Sequence, residues 1–288
     1  MTRDEMARVA LRQAMKIRER ASIDSTSPVC IFDLAEQLGL EVKFRPEKSL
    51  AGMYAKSPRG VILISAHRPP GHRAFTCAHE IGHHIFGHGT RVDEYVKNAD
   101  KPWQTAPEEW LVNRFAAYLL MPLPAVIKAF KRRGWVPASC TALQAYTVAS
   151  QLGVGYTTLI AQMSSTHGLL SAERADHLRR VTPKEIRNQV LGHDDSRHLV
   201  IVDQWWDAKV TADSEVGDHL LLPNNTVVEG TAVTPVVRND SGTTVIAALP
   251  GTARAELPST NWAIFVRVSK YQYTGRSLFR FLEDPDVN

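Results

Sequence analysis

Residues 79–83 read His-Glu-Ile-Gly-His. Four residues along a helix turn through about 400°, so His79 and His83 would leave one face together and both imidazoles could reach one ion. Glu80, about 100° round from His79, would reach the open side of that ion and take a proton from bound water. An H-E-x-x-H pattern arises by chance about 0.02 times in a chain of this length and composition. The pattern therefore points to a hydrolytic metal site. Zinc fits such a site best, because imidazole and carboxylate ligands suit it. The competing reading is a helix whose two histidines only pack or face water.

A catalytic zinc generally keeps three protein ligands and one open position, so a third donor must lie downstream. The extended pattern H-E-x-x-H-x-x-G-x-x-H fails here. Phe86 and Gly89 stand at its Gly and His positions, and His88 is one residue out of register. The next helical stretch offers Glu109-Trp-Leu-Val-Asn113, a carboxylate and a carboxamide on one face. That suits Glu109 as a ligand, with Asn113 behind a histidine ligand to fix its tautomer. Glu108 competes, but as a first-turn acid it would serve the helix dipole. The register with Asn113 favours Glu109. Gly82 sits mid-helix at a cost of about 1 kcal/mol relative to Ala. With Ala116-Ala117 two turns beyond Glu109, it suggests small facing surfaces that let the two helices approach closely. Phe75, Ala78, Ile81 and Ile85 form the buried stripe. For an oxyanion donor or substrate contact the candidates are Tyr54, His67, His72 and Arg73, with ordinary surface roles as the alternative.

These residues need elements to position them. Hydrophobic periodicity predicts a helix over 4–20 and a second over 31–38, ended by Gly39, then a short strand over 41–44. Strands over 50–55 and 61–65 flank Ser57-Pro58-Arg59-Gly60, a turn sequence, and predict a hairpin. The H-E-x-x-H helix should run from 73 to 87. Residues 91–107 show no periodicity, with Pro102 and Pro107 among them. A helix should follow from Glu108 to Leu120, stopping at Met121-Pro122. The pattern stays helical from 124 to about 188. From 197 onward it turns to Val, Ile, Thr and Trp, with strands expected at 198–206, 219–222, 226–238, 243–249 and 262–268. The fold class is α+β. A helical domain that carries the metal site, a small hairpin sheet and helix-turn-helix-like helices at about 141–165 is expected over 1–175, and a separate β-rich domain of unknown role over 176–288.

The two stretches around the chemistry are specific enough to suggest a family. Phe75-Thr-Cys-Ala-His-Glu-Ile-Gly-His83, followed by Glu109-Trp-Leu-Val-Asn-Arg-Phe-Ala-Ala-Tyr-Leu-Leu-Met-Pro122, resembles the signatures F-T-x-A-H-E-x-G-H and E-x-x-A-N-x-F-A-x-x-L-L-M-P of the ImmA/IrrE metallopeptidases. The resemblance spans roughly residues 28–165. Val112 stands where that family usually has Ala, and Ser65 where an Asn commonly ends the strand before the helix. The resemblance implies a zincin-like fold, one zinc ion held by His79, His83 and Glu109, and Glu80 as catalytic base. It also implies an intracellular regulatory protease. Members of the family cleave helix-turn-helix repressors, which derepresses stress-response or mobile-element genes.

Other features qualify this reading. The 288 residues carry a net charge of +4 and a pI near 9.0, too small an excess to imply nucleic acid. Val148-Ala-Ser-Gln-Leu-Gly-Val-Gly-Tyr-Thr-Thr-Leu159 has the look of a helix-turn-helix, and would make the protein a DNA-binding regulator. Thr141 to Ala172 nevertheless contains no Lys, Arg, Asp or Glu, so it lacks the cations that phosphate binding needs. A packing role is expected instead, without DNA binding. Lys128, Lys131, Arg132 and Arg133, and Arg174, Arg179, Arg180, Lys184 and Arg187, read as solvated helix faces or a dock for an acidic partner. Trp205, Trp206, Trp262 and Phe265 are expected in the core of the β-rich part. Cys30, Cys77 and Cys140 are widely spaced and odd in number, which argues for a reducing compartment. The first twenty residues lack the apolar run of a signal peptide, and no stretch reads as a membrane span, so a cytoplasmic location is expected. The functional alternative to proteolysis is a metal-binding module that sequesters a repressor without cutting it.

Overall fold

Thr2 opens the first helix, α1 (Arg3–Arg20), with a reciprocal cap. Its hydroxyl accepts the Glu5 N–H, while the Glu5 carboxylate accepts the Thr2 N–H. Met6, Ala10, Ala14 and Ile17 recur on one face of α1 and are buried. This computed structural model describes residues 1–94, 106–239 and 242–282. By its internal contacts the chain divides into two units. One comprises Met1–Val126, Leu152–Val154 and Thr274–Leu278; the other comprises Ile127–Gln151, Gly155–Tyr273 and Phe279–Asn288.

In the first unit, α2 (Ile31–Gln37) ends just before Gly39, whose φ of 79° is a left-handed conformation that glycine adopts without strain. β1 (Glu41–Arg45), β2 (Leu50–Ala55) and β3 (Val61–Ser65) come next. The expected hairpin is present: β2 pairs antiparallel with β3, Met53 opposite Leu63, and β3 pairs parallel with β1. Val42, Phe44, Ile62 and Ile64 alternate into the core. α3 (Pro70–Phe86) starts three residues before the predicted 73, because Pro70 suits the first helical position, where no N–H is needed. β4 (Arg91–Glu94) adds an antiparallel strand beside β2, in a stretch where no element was expected. Pro102 lies outside the described residues. α4 (Pro107–Leu120) likewise begins on a proline. α3 is packed between the sheet, through β2 and β3, and α4, which also carries α1 on its surface. Inside this arrangement Arg18 is buried. Its guanidinium donates to the Leu119 and Asp24 carbonyls at 2.7 Å each, and also to that of Ser27.

The chain continues through α5 (Leu123–Lys131). Pro107–Lys131 is long and apolar enough to cross a membrane by length and composition, a property not expected from the sequence, but 61% of its most apolar window is buried within the protein.

The second unit holds α6 (Ala142–Leu152, apart from its last residue), α7 (Tyr156–Ser165), α8 (Ala172–Arg180) and α9 (Pro183–Leu191). The helix-turn-helix-like segment is α6 and α7, and α7 buries Tyr156, Leu159, Ile160, Gln162 and Met163. The Tyr156 hydroxyl donates to the Leu178 carbonyl at 2.7 Å, and that of Tyr146 to Leu199 at 2.7 Å. Such ties join these helices to later parts of the chain. The contact division accordingly groups most of 127–175 with the strands, whereas the sequence reading grouped it with the metal site.

Eight strands of this unit form two four-stranded sheets: β5 (Leu199–Ile201), β6 (Ala212–Glu215), β7 (His219–Leu222), β8 (Val227–Glu229), β9 (Val233–Asn239), β10 (Gly242–Ala247), β11 (Gly251–Glu256) and β12 (Ala263–Ser269). Their orders are β5-β7-β10-β9 and β6-β12-β11-β8. Both contribute to one apolar core, with Val200, Leu220, Leu222 and Val245 from the first and Ala212, Ala253, Ala255, Ile264, Val266 and Val268 from the second. The sheet-rich C-terminal region is therefore as expected, but several details differ. The predicted strand over 198–206 stops at Ile201, because the Asp203 side chain accepts the Trp205 N–H and turns the chain. The stretch 226–238 is split at Gly230, φ 103°. β6 and β11 went unseen, since their outward residues are polar.

Two groupings read from the sequence need correction. Trp206 is buried and Trp262 packs against the core, but Trp205 and Phe265 are exposed. Phe265 lies between Ile264 and Val266 on β12, and strict alternation sends it to the other face. Arg133 is no part of a solvated face. It is buried, donating to both carboxylate oxygens of Asp203 at 2.6 and 2.7 Å.

The chain finally returns to the first unit. β13 (Gly275–Arg276) pairs antiparallel with β1, completing a sheet of order β13-β1-β3-β2-β4.

Candidate metal centre

α3 carries His79, Glu80 and His83, all buried. Close packing on both flanks positions them. On the α4 side, a Cβ at Gly82 would lie 2.9 Å from Val112 Cβ and 3.2 Å from Phe115 Cδ1. The missing side chain of Gly82 is thus filled by two large residues. Ala116 and Ala117, expected to face it, are buried on α4 but are not its nearest neighbours. On the sheet side, a Cβ at Gly52 of β2 would lie 2.4 Å from both Glu80 Oε1 and Thr76 Cγ2. Gly52 is what lets the strand pass over the Glu80 carboxylate. Of the expected apolar stripe, Ala78 and Ile81 are fully buried, and Phe75 and Ile85 half-buried.

The close approach of α4 brings Glu109, in its first turn, to the histidines. His79 Nε2 lies 3.0 Å from His83 Nε2 and 3.3 Å from Glu109 Oε2, and His83 Nε2 lies 3.6 Å from Glu109 Oε1. Glu108, the competing acid, is exposed. Tetrahedral bonds of about 2.0 to 2.2 Å place donor atoms about 3.3 to 3.6 Å apart; two of the three separations lie in that range, and the imidazoles need part by only a few tenths of an ångström to take one ion. The hydrogen bonds behind the imidazoles point the same way. His79 Nδ1 is 3.0 Å from Asn113 Oδ1, an acceptor, so Nδ1 carries the proton and Nε2 presents a lone pair. His83 Nδ1 is 3.0 Å from His88 Nδ1. If His83 Nδ1 is the donor of this pair, His83 also turns its Nε2 lone pair inward. Without an ion, an Nε2–H can hydrogen-bond within this cluster, and an ion would take the place of that proton. The imidazoles of His79 and His83 hold the Glu109 carboxyl far below the usual carboxylate range, so it is anionic.

His88 was set aside in the sequence because it is out of register with an extended zinc motif. The helix end gives it a different position. Gly87 closes α3 in the left-handed conformation, φ 71°, and the His88 N–H folds back to the His83 carbonyl at 3.1 Å. A glycine one residue before a histidine at a helix end was the readable signal.

Residues 33–164 match the peptidase family model described as an IrrE N-terminal-like domain. This segment belongs to that peptidase family. The match covers α3, α4 and every donor of the cluster, and the family implies a metallopeptidase acting on protein. No curated protein matches the chain.

The remaining candidates of this IrrE-like domain are engaged differently. The Tyr54 hydroxyl lies 2.8 Å from His84 Nδ1. Burial pushes the phenol up and the imidazole down. Arg73 is buried, its guanidinium 5.5 Å from the centre of the Phe44 ring. His72 is exposed in the first turn of α3, its Nδ1 3.3 Å from the Thr76 hydroxyl. His67 is half-buried in the loop between β3 and α3.

Proposed function

We propose that the protein is a zinc-dependent endopeptidase that cleaves a helix-turn-helix transcriptional repressor inside the cell, and so derepresses stress-response or mobile-element genes. The observation that carries the peptidase chemistry is the convergence of three donors, two of them backed by ring-nitrogen hydrogen bonds, beside a buried carboxylate in a peptidase-family domain. His79, His83 and Glu109 would hold the ion. Zinc at such a donor set supplies Lewis-acid polarisation of a carbonyl and a more acidic water. Asn113 and His88 fix the tautomers of the two imidazoles. Glu80 follows His79 directly and is fully buried beneath Gly52; as the general base it would take a proton from the attacking water and return it to the leaving amine. The repressor as substrate, with its regulatory setting, rests on the resemblance of the 75–83 and 109–122 signatures to ImmA/IrrE proteins. The absence of any charged residue from 141 to 172 supports a packing role for the helix-turn-helix-like pair over a DNA-reading one.

The test is co-expression with a candidate helix-turn-helix regulator from the same genome, comparing wild type with Glu80→Gln by mass spectrometry of fragments. Fragments with wild type, and intact regulator with a variant that still binds zinc, are expected. A loss of about 10²-fold or more in cleavage rate suits removal of a general base. Intact regulator in both arms, with its DNA released by both, would replace proteolysis by sequestration.

A further inference from the structure

The second unit contains another convergence of metal-binding side chains, His193, Asp195 and His219, whose donor atoms all lie within 4.8 Å of one another. His219 opens β7 and is buried; His193 and Asp195 lie in the loop that leaves α9 after Gly192. His219 Nε2 is 2.9 Å from Asp195 Oδ2, and His193 Nε2 is 3.8 Å from the same oxygen. Two imidazole nitrogens therefore approach one carboxylate oxygen.

The surroundings prepare these groups as ligands. His193 Nδ1 donates to the Leu191 carbonyl at 3.1 Å, which leaves Nε2 as the lone-pair donor facing Asp195. The Arg197 N–H occupies Asp195 Oδ1 at 2.7 Å, turning Oδ2 to the histidines. The neighbouring acid is committed elsewhere, since Asp194 takes Lys184 at 2.9 Å and Asn188 at 3.2 Å. Arg197 then pins the loop beside the start of β7. Its guanidinium donates to the Val216 carbonyl, lies 4.0 Å from the centre of the Tyr271 ring, and fills the space over Gly217, where a Cβ would sit 2.4 Å from its Nη2. Without an ion the His219 Nε2–H donates to Asp195 Oδ2; an ion would replace that proton between the same two atoms, with the exposed His193 as the third donor.

We propose that His193, Asp195 and His219 bind a divalent first-row transition ion such as Zn²⁺, separately from the peptidase centre, clipping the loop after α9 to the β5-β7-β10-β9 sheet. Two imidazoles and a carboxylate suit such ions better than Mg²⁺ or Ca²⁺. Because His219 follows His193 by 26 positions, the ion would also cross-link a sizeable loop and stabilise this unit.

The experiment is competition of the tag-free full chain with a chromophoric chelator for Zn²⁺, read as ions bound per chain, with thermal melts in parallel. Wild type is expected to hold two ions. His79→Ala with His83→Ala is expected to hold one, and that ion should still raise the melting temperature. His193→Ala, at an exposed position that leaves the fold intact, and Asp195→Asn should each hold one and bind a second at least about tenfold more weakly. Two tight ions in His193→Ala and in Asp195→Asn would overturn the proposal. So would a single ion in wild type that disappears with His79→Ala and His83→Ala, and that result would leave the peptidase reading intact. Loss of fragments with two ions still bound would sink the peptidase reading alone.

Discussion

At the scale of single residues, the metal centre depends on groups that never touch the ion. Asn113 and His88 each hold the outer nitrogen of one imidazole, and so choose which nitrogen faces the donor cluster. Replacing His88 with Ala removes that constraint from His83 and should weaken Zn²⁺ binding by about 10- to 100-fold, measured by chelator competition, with little change in the circular dichroism spectrum. Glu109 gives a pH signature. Its carboxyl is depressed from an ordinary 4.5 by the two imidazoles, first His79 and then His83, so its folded value lies below its unfolded one. Stability from this pairing is then present above about pH 4.5 and is lost as pH falls below it through the folded value. The metal-free melting temperature of wild type should fall more steeply on acidification below pH 4.5 than that of Glu109→Gln. Parallel slopes would disprove the linkage.

At the scale of elements, the decisive contact is α3 against α4. Gly82 brings the α3 backbone onto Val112 and Phe115, and that approach sets the distance from the histidines to Glu109. Gly82→Ala inserts a methyl 2.9 Å from Val112 Cβ and should destabilise the protein by about 1 to 3 kcal/mol, read by denaturant melts. It should also weaken Zn²⁺ binding, by moving Glu109 outward. Adding Val112→Ala, the residue more usual in the family resembled, should restore much of both. No rescue by the double variant would mean that the two helices are not packed through this pair. The helix partner of Gly82 was misread because i, i+4 spacing tells which residues share a face and leaves open which residue of a neighbouring helix meets them.

At the scale of the whole molecule, the first unit is completed by a strand from the far end of the chain. Beyond the pairing of β13 with β1, Arg276 meets Glu41 at 2.9 Å and the Ser277 hydroxyl donates to Glu36 at 3.2 Å. Ending the chain at Tyr273 should lower the thermal stability of the peptidase unit, followed by its retention of Zn²⁺ on heating. Unchanged retention would show that β13 is dispensable. A two-residue strand with no apolar pattern could not be foreseen, because it is defined by its partner's free edge. The same limit explains the exposure of Phe265, the burial of Arg133 against Asp203, and the gathering of His193, Asp195 and His219: partners 70 and 26 residues away cannot be assigned by periodicity. What the amino-acid sequence determined by itself was local. Four-residue spacing put His79 with His83 and Glu109 with Asn113, alternation marked β1 to β3, and prolines and glycines marked helix starts and ends. Only the tertiary structure decided that α4 meets α3 at Gly82, that Gly52 makes room for Glu80, and that His88 turns back onto His83. Each of these is a matter of which surfaces fit, and shape complementarity between distant segments exists only once the chain has packed.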